Sequence, residues 1–158
     1  MKLRDIVVDQ AIFTSLAATK AKDVLEELLD GLVACEAIAA EQRDVYLKEA
    51  LKRERKGSTG FGHGVAVPHV KAPGLEKLTV AIGISEEGVD FNALDKQPVH
   101  SIFLLISPEE RPEEHIDAME AIFGNLSRDQ FRRFLRQATS VEEILTLLDE
   151  ADSGNAVG

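Results

Sequence analysis

The 158-residue sequence is short of positive charge, of cysteine and of long apolar runs, and each shortage removes a class of function. Lysine and arginine number 18 against 28 aspartates and glutamates, a net charge of −10. A nucleic-acid backbone would be repelled, and no basic patch interleaved with aromatics offsets this, so nucleic acid is not an expected partner. The densest basic stretches, Lys52 to Lys56 and Arg128 to Arg136, are interrupted by acidic or apolar residues. An acidic surface suits a basic protein partner instead. The single cysteine, Cys35, excludes an internal disulfide and fits a reducing compartment. No apolar run approaches the roughly 18 residues that span a bilayer, and Met1-Lys2-Leu3-Arg4-Asp5 lacks the apolar core of a signal peptide. A cytoplasmic protein without direct membrane insertion is therefore expected.

What is present is an ordinary globular balance, with 44% apolar and 29% charged residues, enough for one domain with a sizeable core. The expected domain covers residues 1–150, followed by a loose tail over 151–158. Val24, Leu25, Leu28, Leu29, Leu32 and Val33 recur at helical spacing and predict a helix near Lys20 to Cys35, opened by Thr19 as N-cap. A second helix is expected from Glu41 to Arg53, stopping before Gly57. Strands are expected at Val65 to His69, closed by Pro68, at Leu78 to Ile84, and at Val99 to Ile106, whose apolar second half suggests a central strand. Pro112 suits the first position of a helix, and Ser127 with Gln130 and Ser140 with Glu143 have capping-box spacing for two more. Helices, strands and helices in that order predict an α/β (α+β) fold: a single domain with a mixed central β-sheet flanked by helices.

Chemistry concentrates between these elements. Gly57-Ser58-Thr59-Gly60-Phe61-Gly62-His63-Gly64 holds four glycines in eight residues. Such a run lets several N–H groups converge on an anion, or forms an irregular hairpin. It does not match the nucleotide-binding P-loop, and the dinucleotide fingerprint fails because Val65 stands where a third glycine belongs. His69 follows Val67-Pro68, which would hold its imidazole stiffly at a strand end, as a nucleophile or as a capped surface residue. His115 falls in the first turn of the helix begun by Pro112, where the dipole favours a bound anion. Arg53 offers a planar fork of donors near the loop, with Arg55 and Lys56 as rivals by charge alone. His63, His69 and His115 together could form a metal site, although no metal-ligand spacing supports it. His100 is the remaining histidine.

The stretch from Arg53 through His69 resembles R-E-x-x-G-S-T-G-(I/F)-G-x-G-(I/V)-A-(I/V)-P-H, the signature of type-2 IIA domains of the phosphoenolpyruvate-dependent phosphotransferase system. Val89 to Val99 is similar to the F-x-A-x-D-x-Q-P-V stretch of that family. Phe103 to Pro108, with Glu114-His115-Ile116, is similar to its strand, loop and histidine-bearing helix. The resemblance, which covers about Leu3 to Asp149, implies that His69 accepts a phosphoryl group on Nε2. It further implies that His115 and Arg53 are the other active-site residues, and that Ser58, Thr59 and Gly60 lie in the phosphate-binding loop. His63 stands where the family usually has another polar residue. The implied donor is an HPr-type phosphocarrier protein. The implied recipient is a IIB domain or a regulatory target, with the nitrogen-regulatory type favoured over a sugar-specific one. No cofactor, metal or nucleotide is implied. Two other readings remain: a non-transferring regulatory binding module on the same fold, and a metal-dependent hydrolase built on His63, His69 and His115.

Overall fold

The computed structural model describes residues 1–154. A short helix α1 (Leu3–Ile6) leads into strand β1 (Val7–Phe13), followed by helix α2 (Ala21–Ala34). A 3-10 turn at Ala40–Gln42 precedes α3 (Arg43–Arg55). Five strands come next: β2 (Gly60–Gly62), β3 (Val65–Ala66), β4 (His69–Ala72), β5 (Thr79–Val89) and β6 (Val99–Pro108). Helices α4 (Pro112–Leu126), α5 (Asp129–Gln137) and α6 (Val141–Asp152) complete the domain. The six strands form one mixed sheet in the order β1-β5-β6-β3-β2, with β4 also paired to β6. The expected mixed sheet flanked by helices is therefore observed.

The sheet divides the core by the period-two alternation of its strands. Val80, Ile82 and Ile84 of β5, with Phe103 and Leu105 of β6, join Ile122, Phe131, Ile144 and Leu148 from α4, α5 and α6. Ala81 of β5, with Ile102, Leu104 and Ile106 of β6, joins Leu25, Leu28 and Leu29 of α2 and Tyr46 and Ala50 of α3. Every one of these β6 residues is fully buried, which accounts for the unbroken apolar run.

Strands β3 and β4 lie parallel to β6 in one register, Val65 opposite Ser101 and Ala66 opposite Ile102, then His69 opposite Leu105 and Val70 opposite Ile106. They are one strand interrupted at Val67-Pro68. Proline has no N–H to give the ladder. Its carbonyl still accepts from the Leu105 N–H at 2.9 Å, while the Val67 N–H turns to the Thr59 carbonyl at 3.1 Å. The expected strand closing at Pro68 thus resumes, and His69 opens its second half.

Other expectations shift locally. Lys20, not Thr19, is the N-cap residue of α2 and makes no side-chain cap; the Thr19 carbonyl accepts from Asp90 N–H instead. Ser127 closes α4 and donates its hydroxyl to the Gly124 carbonyl, so it does not cap α5. Ser140 does cap α6, accepting from Glu143 N–H at 3.2 Å. Helix α6 extends to Asp152, whose carboxylate accepts from the Leu3 and Arg4 N–H groups at 2.7 and 2.9 Å. The start of the expected tail is thus part of the domain, and residues 155–158 lie outside the described residues. Among the described residues no helix is long and apolar enough to cross a membrane.

Candidate functional site

Three elements bring the site together. Strand β4 supplies His69 and pairs only with β6, which leaves its other edge open to the last turn of α3. That turn supplies Arg53. The first turn of α4 supplies His115, whose ring centroid lies 5.6 Å from that of His69. Arg55 and Lys56, the rivals by charge, are exposed.

The hydrogen bonds of His69 fix its protonation. Nδ1 lies 3.0 Å from the Val67 carbonyl oxygen, which can only accept, so Nδ1 carries the proton. Nε2 lies 3.2 Å from Arg53 Nε, which can only donate, so Nε2 presents a lone pair. The neutral Nδ1–H tautomer satisfies both partners. Burial lowers the pKa of His69, and the positive charges of Arg53 and Lys71 lower it further against the opposing Val67 hydrogen bond. Arg53 is itself steadied by a 2.7 Å bond from its guanidinium to the Gly57 carbonyl.

His115 is held by Ser107, a fully buried hydroxyl in β6. Ser107 Oγ lies 2.5 Å from His115 Nδ1 and 3.4 Å from the Val70 carbonyl. Ser107 Oγ thus anchors the Nδ1 edge of the His115 ring to β6, and His115 Nε2 has no hydrogen-bond partner among the described residues. The pKa of His115 is lowered by burial, then by the neighbouring His69 and Lys71. Both imidazoles are therefore anchored through Nδ1. Sequence reasoning passed over Ser107. Its only signal was a hydroxyl at the end of an apolar strand, eight residues before a histidine.

The glycine loop holds its own shape. Ser58 donates to the Phe91 carbonyl at 2.6 Å and accepts from Gly60 N–H at 3.0 Å. Thr59, fully buried, donates its hydroxyl to Glu54 and its N–H to the same carboxylate at 3.1 Å. Burial raises the Glu54 pKa while the Thr59 bonds oppose it. Gly60 passes Ala93 so closely that an added Cβ would lie 2.9 Å from the Ala93 methyl. Ser58 and Gly60 thus fasten the loop to the segment 91–93, while Thr59 ties it to α3 and, through its carbonyl, to Val67 two residues before His69. The structure does not bring His63 to this pair. It sits on the β2–β3 turn in a left-handed conformation, φ 59°, and among the described residues no three His, Cys, Asp or Glu side chains converge as a metal site. The three-histidine centre lacks its third ligand. His100 is occupied with the Ser85 carbonyl at 2.8 Å.

A neutral, stiffly held imidazole lone pair beside a guanidinium and a second anchored imidazole is suited to receiving an electrophile that carries anionic oxygens. Residues 5–151 match the family described as the phosphoenolpyruvate-dependent sugar phosphotransferase system, EIIA 2. The chain belongs to this family. It is thereby a phosphotransferase-system component. A nitrogen regulatory protein of Bradyrhizobium diazoefficiens is 35% identical over 149 residues, covering 94% of this chain and 95% of that protein. The fructose-specific EIIABC component of Bacillus subtilis is 29% identical over 96% of this chain, which spans only 24% of that longer protein. Among solved structures, the nitrogen regulatory protein IIA-Ntr from Neisseria meningitidis superposes with a TM-score of 0.81 at 30% identity, covering 91% of this chain and 97% of that one. Enzyme IIA of the mannitol system, in a complex with phosphorylated mannitol enzyme IIB from Escherichia coli, shares the fold. Its TM-score is 0.74 at 24% identity, with 89% of this chain and 94% of that one covered.

Proposed function

We propose that this EIIA domain is a histidine phosphocarrier, with His69 Nε2 as the acceptor of a phosphoryl group from a phospho-HPr-type protein. The observation that carries the reading is the pairing of Nδ1–H with the Val67 carbonyl, which leaves Nε2 as a neutral nucleophile. Nε2 attacks phosphorus in line, a new N–P bond forms, and the donor histidine leaves with the electron pair of its own N–P bond. Arg53 turns from Nε2 to an equatorial phosphoryl oxygen, and the His115 Nε2–H donates to another. Because donor and acceptor are both imidazoles, the step needs little general acid–base chemistry.

The phosphoryl group then passes to a IIB partner, or its presence alters binding to a regulatory target. The near full-length match and superposition with nitrogen regulatory proteins favour the regulatory output, and the complex of the mannitol relative with phosphorylated IIB favours a IIB-type recipient for transfer. The test is phosphoryl transfer from phosphoenolpyruvate through enzyme I and HPr to the purified protein, read by intact mass and phosphorus NMR. An acid-labile, base-stable adduct is expected, absent in His69→Ala. An unchanged adduct in that variant overturns the site assignment. No adduct from HPr proteins, including that of the chain's own species, means that the fold serves binding alone.

A further inference from the structure

Two sequence features have no part in the phosphoryl site: the basic stretch from Arg128 to Arg136 and the histidine at position 63. The structure brings them together. A cavity of about 440 Å³ is lined by His63 from the β2–β3 turn and by Asp129, Arg132, Arg133, Arg136 and Gln137 of α5. It shares no residue with the site around His69.

The cavity has the opposite charge to the molecule around it. On a chain of net charge −10, three guanidiniums and one carboxylate of α5 line it. Asp129 pairs with Arg133 at 2.7 Å and more loosely with Arg132 at 3.5 Å, and Arg132 also donates to the Leu126 carbonyl at 2.7 Å at the end of α4. Arg136 has no acceptor among the described residues. Arg132 and Arg136 stand four residues apart on one helix, a like-charge spacing that disfavours the helix unless an anion lies between. The folding role of α5 is met by its other face, where Phe131 and Leu135 are fully buried. Arg132 thus secures the end of α4, and the fold does not require Arg133 and Arg136.

We propose that this cavity binds a small multivalent phosphate anion, a second site separate from phosphoryl transfer at His69. Guanidinium forks match phosphate oxygens, and their spread around a concave surface favours two linked phosphates over one. The volume accommodates a pyrophosphate or the diphosphate end of a nucleotide. His63, held in its left-handed turn between two glycines, supplies the wall contributed by the glycine loop. The site thus lies six residues along the chain from the proposed acceptor.

The test is titration of the isotope-labelled protein with pyrophosphate, inorganic phosphate and ADP at physiological salt, followed by amide and arginine side-chain NMR shifts. Saturable shifts are expected at His63, Arg133, Arg136 and Gln137. Pyrophosphate should bind at least tenfold more tightly than phosphate, and ADP shows whether a nucleotide source is accepted. The double variant Arg133→Ala/Arg136→Ala should weaken pyrophosphate binding at least tenfold while still accepting a phosphoryl group on His69. Shifts that never saturate, shifts confined to Arg53 and His69, or binding unchanged in the folded double variant would each overturn the proposal. So would binding of an acidic peptide where pyrophosphate does not bind.

Discussion

Replacing Ser107 with alanine tests the tautomer argument at a residue that touches neither the phosphoryl donor nor the acceptor nitrogen. The hydroxyl is fully buried and lies 2.5 Å from His115 Nδ1, and the role proposed for the His115 Nε2–H requires that the hydroxyl give its proton to that nitrogen. Ser107→Ala removes one oxygen and leaves Nδ1 without its partner. His115 is only half-buried, so water partly replaces the lost bond, and the loss is that of one ordinary hydrogen bond, about 1 kcal/mol. In stability this lowers Tm by about 2–4 °C for a domain of this size. In transfer the same energy, spent on orienting the His115 N–H, corresponds to about a fivefold slower step. Single-turnover transfer from phospho-HPr measures the rate, and the nitrogen shifts of the His115 ring measure the tautomer. Wild-type His115 should show a protonated Nε2, and the variant a mixture with Nδ1–H. A variant that transfers at the wild-type rate, with unchanged ring shifts, would refute the role assigned to Ser107.

Three further outcomes follow from the same geometry. Arg53→Ala removes the guanidinium beside His69 Nε2, so transfer should slow by about 10- to 100-fold, the worth of a charge-assisted hydrogen bond. The pKa of His69 should also rise, as an NMR titration would record, because the Arg53 charge now holds it down. Acceptance by His69 should persist as pH falls below the ordinary imidazole value and decline only when its lowered pKa is reached. Stability carries the matching sign. The unfolded chain protonates first, so the contribution of His69 is complete above its unfolded pKa and is lost as pH falls from there towards its folded pKa, which denaturant titrations at several pH values would follow. Gly64→Ala forces an alanine to φ 76° in the turn after His63 and should cost about 1 kcal/mol, read from the denaturation midpoint.

The sequence made the site more legible than the elements that carry it. His69 stood out beside a proline and a glycine run, whose backbone effects are local and therefore readable, whereas Arg53 was one of three rivals by charge until the family resemblance singled it out. His115 was found through Pro112, which occupies the first position of α4 as expected. Strand β1 escaped notice because Asp9 and Gln10 interrupt its apolar alternation and its register with β5 shifts between Val7 and Ile12. The four-residue α1 is too short for any periodicity and is fixed by Asp152 from the far end of the chain. Ser127 at capping-box spacing was misread because two helices meet there, and its hydroxyl serves the one behind it. Ser58 and Thr59 were legible as loop residues, but their internal hydrogen bonds to Phe91 and Glu54 depend on contacts that no local pattern encodes.

The carboxylate of Asp152 that holds the amides of Leu3 and Arg4 places both ends of the folded unit at one point on its surface. A unit that is entered and left at the same place behaves as a cassette. It can be spliced into a longer polypeptide, or have its ends joined and be reopened elsewhere, without stretching the sheet or moving His69. This geometry suits a fold that recurs both at nearly the full length of a nitrogen regulatory protein and as about a quarter of a longer fructose-specific EIIABC component.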